Sequence, residues 1–342
     1  MAGKGSVFLL GPGYIGLEVL SLLLREGYPV TTLVRRQEAR AGLEKLGSRT
    51  VLGSLDDGDV IRKAAAAADI VIHTATADHE PSAVSVLKAV EDRAESGKST
   101  IYIHTSGCSA IVDKSDGEYA SDKVFQDDKP ETIDAIADDA PHRSIDLTIL
   151  KHRRTLGAKA KISIMFPPVV YGVGKDNRLS IQIPTMARFA IKKGYAGYVG
   201  KGNSIWGQIH VSDLARGYMT ILHYMESTSG EKVLENPYFF CENGDEYSWK
   251  RVAEEIGTGL QKAGKLQDPT PREIPSDLYD YIFGEWSVAV VGQNARNRAN
   301  RLRALGWEPL AKRTFESLVE DELPIMLAEK GDFKGYAAPV AS

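Results

Sequence analysis

Three glycines, Gly11, Gly13 and Gly16, stand at G-x-G-x-x-G spacing. They follow the apolar run Val7-Phe8-Leu9-Leu10 and lead at once into an amphipathic stretch over 17–25, so the pattern predicts strand, tight turn and helix. In that setting Gly11 lets the chain bend, Gly13 lets backbone approach a pyrophosphate, and Gly16 lets the helix sit close to the strand. The unpaired N–H groups of the helix start, around Tyr14 and Ile15, then face the phosphates. The chemistry expected here is the binding of a dinucleotide. A second β-branched run, 29–34, ends at Arg35-Arg36. Where a carboxylate would take the ribose hydroxyls, two guanidinium groups suit a 2′-phosphate through bidentate, charge-assisted bonds. The expected cofactor is therefore NADP(H) rather than NAD(H).

The elements that would position these groups follow in order. Residues 50–52 predict a third strand before the turn Gly53-Ser54-Leu55-Asp56, and 60–68 an alanine-rich helix. Residues 69–75 predict a fourth strand, nearly all apolar, with Thr74 and Ala75 at its carboxyl end. A helix over 81–94 precedes a fifth strand over 100–107 that ends in the hydroxyls of Thr105 and Ser106. This alternation predicts an α/β Rossmann fold, a parallel doubly wound sheet with its ligand at the strand carboxyl ends. Residues 107–141 are polar and predict a long loop over the site. A helix over 142–154 and a sixth strand over 161–166 come next, closed by Pro167-Pro168-Val169-Val170-Tyr171-Gly172. Beyond them the pattern predicts helices over 179–193, 211–225 and 248–263, a turn at 199–203 and a strand within 233–241. The expected division is a cofactor-binding domain over 1–175, with 206–228 returning to it, and a smaller mixed substrate lobe from 176–205 and 229–342.

At 342 residues and 43% hydrophobic, the chain can bury a full core. A net charge of -4 supplies no basic excess for nucleic acid. Cys108 and Cys241 match no metal spacing and fit a reducing compartment with free thiols, a disulfide between them being the alternative. His73, His79, His104 and His210 share no metal-ligand spacing either, so no metal is expected. The first residues enter the first strand without a charged and apolar leader, and no apolar run reaches membrane length. A cytoplasmic protein with a small-molecule substrate and no membrane partner is expected.

The ordered set Gly11 to Gly16, Val34-Arg35-Arg36, Gly53 to Asp56, His73-Thr74-Ala75, His104-Thr105-Ser106-Gly107, Pro167 to Gly172, Gln208 to Ala215 and Leu305 to Pro309 resembles the extended short-chain dehydrogenase/reductase superfamily. It is similar to the epimerase/dehydratase-like branch and to atypical members near the NmrA-like proteins. The resemblance implies an NAD(P)-binding domain with a small C-terminal substrate lobe and points to a homodimer. It places the nicotinamide near Thr105, Ser106 and Pro167-Pro168-Val169. The branch's G-x-x-G-x-x-G is altered here, with Leu10 at its first position and Gly11 one place later.

The resemblance also frames the acid/base question. Hydride transfer at a carbon bearing oxygen needs a proton donor or acceptor at that oxygen; the superfamily uses a Tyr, a Lys four residues on that lowers the phenol's pKa, and a Ser that orients the substrate. Ser106 fits the serine. Tyr119 and Lys123 match the pair in letters, at a spacing of 119 − 106 = 13, yet polar residues 126–130 follow instead of a long helix. The helix leading into the sixth strand begins His142-Arg143-Ser144-Ile145-Asp146, which puts His142 at the Tyr position and Asp146 at the Lys position. Three arrangements stand open. Tyr119 and Lys123 fold back as a displaced pair; His142 moves the proton, oriented by Asp146 one helical turn on; or the site binds NADP(H) without hydride chemistry. The expected function is an NADP(H)-dependent oxidoreductase acting on a small carbonyl or hydroxyl compound. The alternatives are a nucleotide-sugar epimerase or dehydratase and a non-catalytic, NADP(H)-sensing NmrA-like binding protein. Trp206 and Tyr171 could stack on a planar substrate if they line the cleft.

Overall fold

The computed structural model describes residues 3–336. Seven parallel strands form the central sheet: β1 (Val7–Leu10), β2 (Val30–Val34), β3 (Arg49–Leu52), β4 (Ile70–His73), β5 (Ile101–Thr105), β6 (Lys161–Phe166) and β7 (Tyr238–Phe240). They lie in the order 7-6-5-4-1-2-3. β1, β4 and β5 are buried along their whole length, as strands covered on both faces must be. The order reverses between β1 and β4, whose registers align Leu10 with His73. A doubly wound sheet opens its ligand crevice at such a reversal, beyond the strand carboxyl ends.

Eight longer helices surround the sheets: α1 (Tyr14–Arg25), α2 (Gln37–Lys45), α3 (Gly58–Ala66), α4 (Glu80–Glu95), α5 (Arg143–Leu156), α6 (Gln182–Lys193), α7 (Val211–Ser227) and α8 (Trp249–Lys262). α1 packs on α7, while α4 packs on both α3 and α5. α2 is a helix the apolar pattern does not announce, because Leu43 is its one buried residue. Ser248 starts α8 by accepting a hydrogen bond from the Arg251 amide, the N-cap device for an orphan donor.

The smaller lobe is built differently. Val169–Tyr171, Ile205–His210 and Glu246–Ser248 form a three-stranded sheet with one parallel and one antiparallel pairing. The expected strand 233–241 begins in the last residues of a helix, Gly230–Leu234, and only Tyr238–Phe240 is extended, pairing with β6. That segment falls in the stretch expected for the substrate lobe, yet it is the seventh strand of the central sheet. Cys108 and Cys241 are buried free thiols. Among the described residues no helix is long and apolar enough to cross a membrane.

The long connection 107–141 is not a simple loop over the site. It carries a 3₁₀ turn at Cys108–Ile111, a helix at Pro130–Asp134 and a short strand, Phe125–Gln126, that pairs with Asn297–Arg298 of the lobe. The buried Asp127 carboxylate accepts from the amides of Phe240 and Arg301, both at 3.0 Å. Asp113 is held by Asn294 in the same way. Only the two ends of the connection reach the cleft, through Cys108, Ser109, Asp139 and Pro141.

Candidate active site

Glycine geometry builds the phosphate end. Gly11 has φ of 86°, a left-handed conformation, and a Cβ on it would lie 2.3 Å from the Ala75 Cα. A Cβ on Gly16 would lie 1.9 Å from the Gly11 carbonyl oxygen, so only glycine lets α1 approach the turn. The Thr74 hydroxyl fixes this approach by hydrogen bonds to the carbonyls of Leu10 (3.0 Å) and Gly11 (2.8 Å). Gly13 is the N-cap of α1, has no side-chain cap and meets no heavy atom within 4 Å of an added Cβ. Gly13, Tyr14 and Ile15 line the cleft there, so the helix start offers open backbone donors beside its positive end. That donor set fits a dinucleotide pyrophosphate.

Two further cations stand near this end. Arg35 and Arg36 follow β2 and are exposed, and among the described residues neither side chain has a hydrogen bond or ion-pair partner. They do not line the cleft itself. Arg178, which the sequence pattern does not single out, donates to the Pro12 carbonyl at 3.3 Å and so stands beside the glycine turn.

A cleft of about 730 Å³ continues from the glycine turn across the carboxyl ends of β4, β5 and β6 into the lobe. Thr74, Ala75, Thr105, Ser106, Pro167 and Pro168 line it, while Gly11, Gly16 and the buried Val169 stand behind its wall. At its floor the Ser106 hydroxyl donates to Asp146 Oδ2 at 2.9 Å. Asp146 is fully buried, and its Oδ1 has no hydrogen-bond partner. Burial pushes its carboxyl up to about 7, against the opposing pull of the Ser106 hydrogen bond and of His142 and Arg143.

His142 precedes α5 with φ of 65°, a conformation uncommon for any residue with a side chain. Its Nδ1 lies 2.5 Å from Asp78 Oδ1, and its Nε2 edge rests against Gly107, where an added Cβ would be 3.3 Å away. The partner that orients the ring is thus Asp78; Asp146, one turn along α5, points instead at Ser106. His142, Asp78 and Ser106 all line the cleft.

Tyr119 and Lys123 are elsewhere. Tyr119 is half exposed, its backbone carbonyl held by Asn294, and the Lys123 ammonium sits over the Phe125 ring at 4.3 Å. Lys123 lines a separate recess of about 170 Å³ that holds no member of the Ser106 group. The two residues lie within the connection 107–141, which is pinned to the lobe, so no helix carries them toward β5. Tyr171 also stays out of the cleft, its hydroxyl bonded to the Lys312 carbonyl and Asn243, whereas Trp206 lines it. His73 and His104 pack in the sheet, bonded to Ser82 and Tyr102.

Asp78 follows β4, at the kind of strand end where ligands gather, and that position was the available signal for it. Phe283, Trp286 and Tyr336 come from irregular parts of the lobe and carried none.

The Asp146 carboxyl makes a stability prediction. An unfolded aspartate ionises at about pH 3.9, whereas this one keeps its proton to about 7. The folded state therefore binds more protons across that window, and stability falls as pH rises through it. Asp127 and Glu322, also pushed up to about 7 by burial, add to the slope. Asp146→Asn removes one share, so its thermal midpoint falls less than the wild type's between about pH 5 and about pH 8. The gap at the higher pH is of the order of 1–4 kcal/mol. A gap that does not change with pH would mean that Asp146 is ionised throughout.

The sequence profile of the NAD dependent epimerase/dehydratase family matches residues 7–234. The chain belongs to this family. Among curated relatives, it is 29% identical to the oxidase ucsJ of an Acremonium species over 91% of this chain and 95% of that one. Its fold is that of the extended short-chain dehydrogenase/reductases. UDP-glucose 4-epimerase from Thermotoga maritima superimposes with a TM-score of 0.67 at 16% identity, covering 94% of this chain and 99% of that one. The dTDP-glucose 4,6-dehydratase from Bacillus anthracis, solved with NAD, gives 0.66 at 17% identity, covering 95% and 98%. At such identities the two structures speak for the fold of this family member and not for its substrate.

Proposed function

We propose that the protein is an NADP(H)-dependent oxidoreductase interconverting a small carbonyl compound and its alcohol, with His142 as the proton donor and acceptor. The observation that carries this reading is the His142 ring, held at Nδ1 by Asp78 and presenting Nε2 beside Gly107 in the cleft. In this reading residues 1–175 with 206–228 hold the cofactor, joined by the strand Tyr238–Phe240, and the remainder forms the substrate lobe. Gly13, Tyr14 and Ile15 would hold the pyrophosphate, Arg35 and Arg36 the 2′-phosphate, and Pro167 to Val169 the nicotinamide side. When bound, the cofactor supplies or takes a hydride at the carbon that bears the oxygen.

The chain's own part is proton chemistry. Asp78 accepts from Nδ1–H and fixes the tautomer in which Nε2 exchanges a proton with the substrate oxygen. Ser106 orients that oxygen, and its role follows the charge on Asp146. An ionised Asp146 accepts a hydrogen bond from the Ser106 hydroxyl, which leaves the Oγ lone pairs as the acceptor for an alcohol. A protonated Asp146 donates to Oγ instead and frees the Ser106 proton for a carbonyl oxygen. Asp146 is thus a positioning residue where the superfamily has its lysine.

Calorimetric titration with NADPH, NADP⁺, NADH and NAD⁺, followed by NADPH consumption over a carbonyl panel, tests the proposal. Tight binding confined to the phosphorylated pair, with turnover, is expected. Binding of none of the four overturns the cofactor assignment. Binding without turnover favours the NADP(H)-sensing role, a reading that the distance of Tyr119 and Lys123 from the cleft supports. Turnover that needs only catalytic cofactor favours an epimerase.

A further inference from the structure

Resting on the oxidoreductase reading above, we infer that the substrate is a flat, uncharged aromatic carbonyl compound or its alcohol, and not a nucleotide sugar. The lobe side of the cleft is walled by Trp206, Phe283, Trp286, Val290 and Tyr336. Trp206 is buried, its indole N–H bonded to the Gln293 carbonyl at 2.5 Å, and it backs this wall without offering it a polar group. Phe283 and Tyr336 stack on each other, with centroids 6.1 Å apart and planes 15° from parallel. Trp286 is 44% exposed, unusual for so large an apolar side chain. Trp286, backed by these packed rings, is the one with an open face, and such a ring gains from stacking on a flat partner beyond the area buried.

Charge excludes the alternative. Among the described residues lining the cleft there is no lysine or arginine, and its charged side chains are Asp78, Asp139 and the titratable His142. A nucleoside diphosphate in the lobe half would meet an uncharged, largely apolar lining with no cation to offset its two phosphates, and the nearest charged groups in the cleft are the carboxylates Asp78 and Asp139. The cation nearest the turn, Arg178, bonds Pro12 at the cofactor end. A buried hydroxyl on the lobe side has no partner among the described residues. Ser180 lines the cleft at 7% exposure, and its hydroxyl is buried without a hydrogen-bond partner. A buried polar group in that state wants a partner, and a single hydroxyl or carbonyl substituent on the substrate would supply it.

The test uses 2-acetonaphthone, 2-butanone and UDP-glucose with NADPH, together with calorimetry of 1-(2-naphthyl)ethanol and UDP on the NADP⁺-saturated protein. The expected kcat/KM for 2-acetonaphthone exceeds that for 2-butanone by at least about 30-fold, and UDP does not bind. Trp286→Ala is expected to raise KM for 2-acetonaphthone about tenfold, with NADPH affinity retained as the sign of a folded protein. Equal turnover of 2-butanone, binding of UDP, failure of the naphthyl alcohol to bind, or a Trp286→Ala variant with unchanged KM each overturns the inference. If the naphthyl alcohol binds and no carbonyl consumes NADPH, the substrate class stands and the oxidoreductase reading falls.

Discussion

His142→Ala is expected to lower kcat for NADPH-dependent carbonyl reduction by about 10²- to 10⁴-fold, the usual worth of a positioned general acid. The affinity for NADPH, measured by calorimetry, is expected to survive, because the ring touches Asp78 and Gly107 and not the glycine turn. The loss belongs in kcat more than in KM, since the proton is needed in the transition state and contributes little to ground-state binding. Tyr119→Phe is the companion measurement. Half exposed and outside the cleft, Tyr119 should tolerate it with a rate within about twofold of wild type, as surface substitutions do. A large loss in Tyr119→Phe beside a small one in His142→Ala would restore the tyrosine assignment and require the connection 107–141 to leave the lobe in the working enzyme.

Replacing Arg35 and Arg36 together by alanine is expected to raise the Kd for NADPH by about 10²- to 10³-fold, two charge-assisted hydrogen-bonding groups being lost. NADH should be held about as well as before, for it lacks the phosphate these groups would take. Among the described residues neither side chain has a partner, and Arg36 begins α2 without a side-chain cap bond, so the described fold gives up no bond with them. Parallel titrations of both cofactors read the difference. Equal weakening would remove the 2′-phosphate assignment of these two side chains.

Much of the frame was legible in the sequence because strands covered on both faces write themselves as unbroken apolar runs. The expected strand over 161–166 coincides with β6 residue for residue. The glycine spacing foretold a close approach that the structure realises between Gly11, Gly16 and Thr74. α2 escaped because it rests on the sheet through one side chain and keeps its polar residues in water. The candidate site was half legible. His142 could be set opposite Ser106, since the helix that runs into a parallel strand must begin at the carboxyl ends of its neighbours. Which carboxylate would orient it could not: Asp146 has the right sequence spacing, but its side chain turns inward to Ser106, and Asp78 comes from 142 − 78 = 64 residues away. The aromatic wall was out of reach, because Phe283 and Trp286 sit in short turns whose burial follows no period.

The Asp127 carboxylate ties the connection 107–141 to β7 and to the segment that carries Arg301, and the pairing of Phe125–Gln126 with Asn297–Arg298 doubles the tie. Lifting the connection alone would strip two amides and a buried carboxylate of their partners at once, a cost no local motion recovers. The stretch that looked most like a mobile cover therefore belongs to a single cooperative unit with the far end of the chain, and the two open together or not at all.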